Sequence, residues 1–86
     1  MLEYQVIFSC SAQKELDDLP TEMIGRISSK IEALVVEPRP DGCKKLRGQL
    51  NTWRIRVGDY RVIYKVDDTE RIIEIVMVCH RSQAYK

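Results

Sequence analysis

Arg54, Arg56 and Arg61 lie in two neighbouring runs, Thr52–Val57 and Tyr60–Val66, in which charged and apolar residues alternate. A guanidinium suits one kind of chemistry. Its planar fork grips two oxygens of an anion and keeps its proton, so it stabilises negative charge and makes a poor general base. Proton transfer must fall to another group, and the chain offers His80, its one histidine, and Tyr85, with Arg81 between them. An imidazole titrates at about 6.5, while a phenol at about 10 needs neighbouring cations, such as Arg54 and Arg81, to favour its phenolate. Six residues, Arg54, Arg56, Arg61, His80, Arg81 and Tyr85, thus have the makings of a site for cutting a phosphodiester bond. For RNA the parts are a base for the 2′-hydroxyl, charge stabilisation at the phosphate and a proton for the departing 5′-oxygen.

Around this set lie further cations, Lys44, Lys45 and Arg47 ahead of the arginine strand and Lys65 behind it, which are expected to contact an RNA backbone. No cofactor is expected. The acidic residues fall in turns and helices, and no His/Asp/Glu set has ligand spacing, so metal-independent chemistry is anticipated. Trp53 and Tyr64 can stack on bases, but they share the phase of Val57 and Val62 and read as core aromatics. Cys79 follows the core phase of its own run and reads as packing.

For these side chains to meet, the backbone must place them on one surface. Leu2 to Phe8 alternates, with Tyr4, Val6 and Phe8 on one side, and reads as a strand. Ser9 or Ser11 can cap a short helix carrying Ala12, Leu16 and Leu19, which Pro20 interrupts. A second helix, from about Thr21 to Val36, repeats Met23, Ile24, Ile27, Ile31, Leu34 and Val35 at helical spacing. Two prolines and Asp41-Gly42 mark a loop. Three β-rich runs follow, Thr52–Val57, Tyr60–Val66 and Arg71–Val78, joined at Gly58-Asp59 and at Asp67-Asp68-Thr69-Glu70.

The order βααβββ predicts an α+β fold, a two-helix hairpin packed on one face of a mainly antiparallel four-stranded sheet whose other face is open. Period-2 alternation sends Trp53, Ile55, Val57, Tyr60, Val62, Tyr64 and Val66 toward the helices. Arg54, Arg56, Arg61, Ile63 and Lys65 then point to the open face. In the last run Ile73, Ile75 and Met77 are expected in the core, and the alternate set Ile72, Glu74, Val76 and Val78 leads outward to His80.

With 86 residues, the chain is expected to form a single domain over 1–86. Net charge is only +1, yet it is unevenly spread. Residues 1–38 carry three Lys or Arg against seven Asp or Glu, whereas residues 39–86 carry eleven against six, which suggests an anionic ligand for the second part. Cys10, Cys43 and Cys79 are odd in number and far apart, as suits reduced thiols in the cytoplasm. No secretory leader is evident, and no apolar run nears the ~20 residues needed to span a bilayer, so no membrane association is expected.

The string from Trp53 to Tyr64 (WRIRVGDYRVIY), followed by His80-Arg81 and Tyr85, resembles the RelE/ParE superfamily of toxin–antitoxin toxins. Tyr4 to Phe8 before a helix, Leu19-Pro20 between helices and Lys45-Leu46-Arg47-Gly48 before the second strand extend the likeness over nearly the whole chain. The RelE-like branch implies a microbial RNase fold and a ribosome-dependent endoribonuclease that cuts messenger RNA and is held inactive, in a hetero-oligomer, by a cognate antitoxin. It further implies phosphate contacts from Arg54, Arg56 and Arg61, a place near the leaving group for Arg81, and base work by Tyr85 or His80. In the best-known RelE pattern the pair held here by Arg54 and Arg56 is lysine, and the spacing from Arg81 to the terminal tyrosine is longer. A ParE-like inhibitor of DNA gyrase, without nuclease activity, would share the fold, and so would an inert antitoxin-binding module.

Overall fold

Hydrophobic periodicity alone accounts for most of the architecture of the computed structural model, which describes residues 3–80. Strand β1 (Gln5–Phe8) is followed by helices α1 (Cys10–Asp17) and α2 (Thr21–Val36), then by β2 (Lys44–Lys45), β3 (Thr52–Val57), β4 (Tyr60–Asp67) and β5 (Ile72–His80). Ser9 caps α1, its hydroxyl accepting from the Ala12 N–H at 3.1 Å. Pro20, with no N–H to give a preceding helix, separates α1 from α2.

The helices bury Ala12 and Leu16 of α1 and Ile27, Ile31 and Leu34 of α2 against one face of the sheet. From the sheet come Ile55, Val57, Val62, Tyr64, Val66, Ile73, Ile75 and Val78, with Tyr4, Val6, Phe8 and Trp53 partly buried around them. Tyr64, fully buried, donates its hydroxyl to the Pro38 carbonyl at 2.7 Å. Burial pushes that phenol far above its ordinary range, so it is held as a neutral donor.

The sheet has five strands in the order β1-β5-β4-β3-β2, one more than four because Lys44 and Lys45 pair briefly with Arg54 and Trp53. It is antiparallel except where β1 runs parallel to β5. The β3–β4 hairpin turns at Gly58-Asp59 with positive φ at the glycine alone, as a two-residue turn with glycine leading requires. Among the described residues, no helix is long and apolar enough to cross a membrane.

One departure alters the expected faces. Tyr64 of β4 pairs with Ile75 of β5, but Ile63 pairs with Met77, so Val76 is an extra residue and β5 changes phase there. Met77, expected in the core, is 39% exposed, and Val78, expected outside, is 3% exposed. Beyond the end of β1, α1 serves the free edge of the bulged strand. The Ser9 N–H donates to the Ile75 carbonyl and the Ser9 hydroxyl to the Val76 carbonyl, while the Val78 N–H donates to the Glu15 carboxylate at 3.0 Å.

Candidate nucleic-acid interface

Cross-strand partners project from the same face of a sheet, so the register reads directly as rows of side chains. On the face away from the helices, one row holds Arg56, Arg61 and Cys79, and the next holds Lys44, Arg54, Ile63 and Met77. A third holds Thr52, Lys65, Glu74 and Ile7. The first two rows bring four cations together.

Lys44, Arg54, Arg56 and Arg61, with Gly42, line one small pocket of about 180 Å³. Every charged residue in its wall is positive. The three arginines expected on the open face therefore do converge there, although they come from two strands. Arg61 is only 6% exposed, and its Nη1 donates to the Tyr60 carbonyl at 3.4 Å. Arg56, opposite it, is exposed. Among the described residues, no ion pair neutralises Arg56 or Arg61; the one present joins Arg39 to Asp68 at 2.6 Å. An anion entering the pocket would meet several guanidinium groups, one of them, Arg61, already withdrawn from water.

The remaining expected site residues are distributed differently. Lys45 pairs with Trp53 on the helix side, its ammonium 5.9 Å from the centre of the indole ring, and Arg47 lies in the following loop. Lys65 falls one row beyond Ile63, beside Glu74. Of the cations singled out as RNA contacts, Lys44 alone lines the pocket. His80 does not join the arginines as expected. The bulge at Val76 shifts its phase, so it pairs with Tyr60 on the face of Val62 and Val78, with the two rings edge to face at 5.4 Å. Arg81 and Tyr85 lie outside the described residues.

Cys79 takes the open-face position next to Arg61 that simple alternation denied it. Burial and the nearby Glu15 carboxylate push its thiol pKa up against the opposing pull of Arg61, so it is a protonated neighbour and a poor proton acceptor.

The wall of the pocket depends on residues the sequence did not mark. Gly42 adopts φ of 93°, the left-handed region where a side chain is disfavoured, in the loop that joins α2 to β2. That loop is fastened on the other side of the sheet edge. Asp68, in the β4–β5 turn, accepts from Arg39 at 2.6 Å and from the Tyr4 hydroxyl at 2.5 Å. Those two bonds hold its carboxyl below the usual carboxylate range. The bond to Asp68 raises the Tyr4 phenol against the opposing pull of Arg39. The Arg39 guanidinium also lies 5.4 Å from the Trp53 ring centre, and the Trp53 Nε1 is buried without a hydrogen-bond partner among the described residues. No spacing rule links Tyr4, Arg39 and Asp68; the parallel β1–β5 pairing brings Tyr4 beside the β4–β5 turn, and the Tyr4 N–H, donating to the Val35 carbonyl at 3.1 Å, ties it to the end of α2.

Comparison with known proteins shows the family of the chain. The family described as the ParE toxin of the type II toxin–antitoxin system parDE matches residues 6–85. A putative toxin RelE1 of Methanocaldococcus jannaschii is 37% identical over 76 residues, covering 85% of this chain and 84% of its own length. Toxin RelG of Mycobacterium tuberculosis is 32% identical over 87 residues and 99% of each chain. The fold is similar to the crystal structure of a RelE–RelB complex from Pyrococcus horikoshii, with a TM-score of 0.83 and 32% identity over 98% of this chain and 100% of that one. The chain belongs to the RelE/ParE superfamily of type II toxin–antitoxin toxins, on its RelE-like branch.

Proposed function

We propose that the protein is the toxin of a type II toxin–antitoxin module and acts as a metal-independent, ribosome-dependent endoribonuclease on messenger RNA. The observation that carries this reading is the pocket whose charged wall is wholly cationic, Lys44, Arg54, Arg56 and Arg61. The reacting phosphate sits there. The 2′-oxygen loses its proton to a base and attacks phosphorus, the bond to the 5′-oxygen breaks as that oxygen takes a proton from the protonated base or from water, and a 2′,3′-cyclic phosphate and a 5′-hydroxyl result. Charge that builds on the non-bridging oxygens is met by Arg61 and its neighbours. The leaving-group role is assigned to Arg81, as the family resemblance implies. Arginine is a poor proton acceptor, and the register turns His80 toward Tyr60, so base work passes to Tyr85.

A free nuclease of this kind would halt its host's translation, so a cognate antitoxin is expected to hold it in a hetero-oligomer in the cytoplasm. The Pyrococcus horikoshii relative was crystallised with its RelB partner, which supports such a complex here. Acidic antitoxin segments would complement the cationic pocket.

A second reading, inhibition of DNA gyrase without cleavage, is favoured by the match to the ParE family. One pair of assays separates the two. Purified protein mixed with programmed ribosomes is expected to give new message ends, with a cyclic phosphate upstream and a 5′-hydroxyl downstream. Intact message together with loss of gyrase supercoiling would replace the nuclease by the inhibitor.

A further inference from the structure

The pocket has a continuation. Strand β2 covers only Trp53 and Arg54 of β3, so the edge of β3 from Ile55 to Val57 has no strand beside it among the described residues. Next to that edge a groove of about 740 Å³ runs between α2 and the β3–β4 turn, with Arg26, Ser29, Lys30, Arg56 and Gly58 in its wall. Arg56 lines both this groove and the arginine pocket, so the two share a boundary.

The groove's cations stand out against their surroundings. Residues 1–38 hold seven acids and only three Lys or Arg, yet two of those three, Arg26 and Lys30, one helical turn apart, face this groove. Neither is in an ion pair among the described residues. Arg26 is exposed and rests against the turn. Its Nη1 approaches the Met23 sulfur at 3.8 Å, and its guanidinium lies across Gly58, where an added Cβ would come within 3.4 Å. The first turn of α2, with the positive end of its dipole, opens into the same space at Thr21 and Glu22. Glu22 is the single acid in the wall.

We propose that this groove is a second backbone site, in which Arg26 and Lys30 hold a flanking phosphodiester of the same RNA strand whose reacting phosphate occupies the arginine pocket. The inference rests on the RNA-cleaving reading above. The strand passes from the pocket over Arg56 and the β3–β4 turn onto α2. Recognition there is by charge, without base readout, so it extends the footprint on the message and leaves sequence preference untouched.

The test measures binding of fully 2′-O-methylated, uncleavable RNA trimers and nonamers by fluorescence anisotropy at several salt concentrations, using the full chain. The Arg26→Gln/Lys30→Gln variant should bind the trimer within twofold of wild type and the nonamer roughly tenfold more weakly. Its log–log salt slope for the nonamer should fall by about 1.4, the value for two lost contacts to a single strand. The charge-retaining Arg26→Lys/Lys30→Arg variant should keep the wild-type slope. Wild-type nonamer affinity and slope in the glutamine variant would overturn the proposal, and so would an equal loss for the trimer. The pocket is read separately through Arg61→Gln, or through Lys44→Gln if the buried substitution costs the fold. Weakened trimer binding supports the pocket, whereas unchanged binding of both lengths defeats the pocket reading and, with it, the strand path proposed here.

Discussion

Arg56 and Arg61 face each other across β3 and β4, and their alternation with Ile55, Val57 and Val62 is what sends them to the open face. At this scale the sequence was informative because period-2 alternation needs only local residues. It failed at His80, since an imidazole's face depends on every residue between it and the core, and Val76 adds one. The consequence for catalysis is direct: His80→Gln should change the cleavage rate less than tenfold, whereas Tyr85→Phe should lower it roughly 10²–10⁴-fold, as loss of a proton-transfer group does. Rates measured on programmed ribosomes check both. The phase of Tyr64 marks it as core, but its hydrogen bond is not legible in the sequence, because Pro38 lies 26 residues away. Tyr64→Phe leaves the Pro38 carbonyl without its donor and should cost about 1–3 kcal/mol in urea unfolding.

The β5 bulge and the loop from α2 to β2 are element-scale features, and each has its own signature. If β5 changes phase at Val76, Val78→Ala should destabilise by roughly 1.5–3 kcal/mol, while Met77→Ala should fall within about 0.5 kcal/mol of wild type. Equal costs would place the phase change elsewhere. Bulges escape sequence reading because β5 is apolar at both parities, Ile72 and Ile73, Val76 and Met77, so neither phase is marked. The two-residue β2 was missed for a similar reason, as Lys44 and Lys45 carry no pattern. The fastening of the loop by Asp68 makes a pH prediction. Its carboxyl pKa is lowered in the folded protein, so the stabilisation is fully present above the ordinary carboxylate range near 4 and is lost as pH falls through the lowered value. Asp68→Asn should therefore show a shallower decline of melting temperature below about pH 4 than wild type. A parallel decline in both proteins would remove Asp68 from the acid response.

At the scale of the whole molecule, one face of the sheet is given to the helices and the core, and the other gathers cations at one end. The two helices, the longer strands, the open face and the arginine convergence follow from periodicity and charge, whereas β2 and the β5 bulge do not. What needed the fold was the boundary of the site. Gly42 as a wall, Lys45 over Trp53 on the helix side, and Arg26 and Lys30 brought beside Arg56 all depend on contacts between separate segments. The central claim is that guanidinium groups on this face stabilise the charge that develops on a reacting phosphate. It is tested most directly by single-turnover cleavage of a ribosome-bound message with Arg56→Gln and Arg61→Gln proteins whose melting temperatures show them folded. Rates lower by roughly 10²–10³-fold at saturating ribosome concentration are expected. Rates within twofold of wild type for both variants would contradict it.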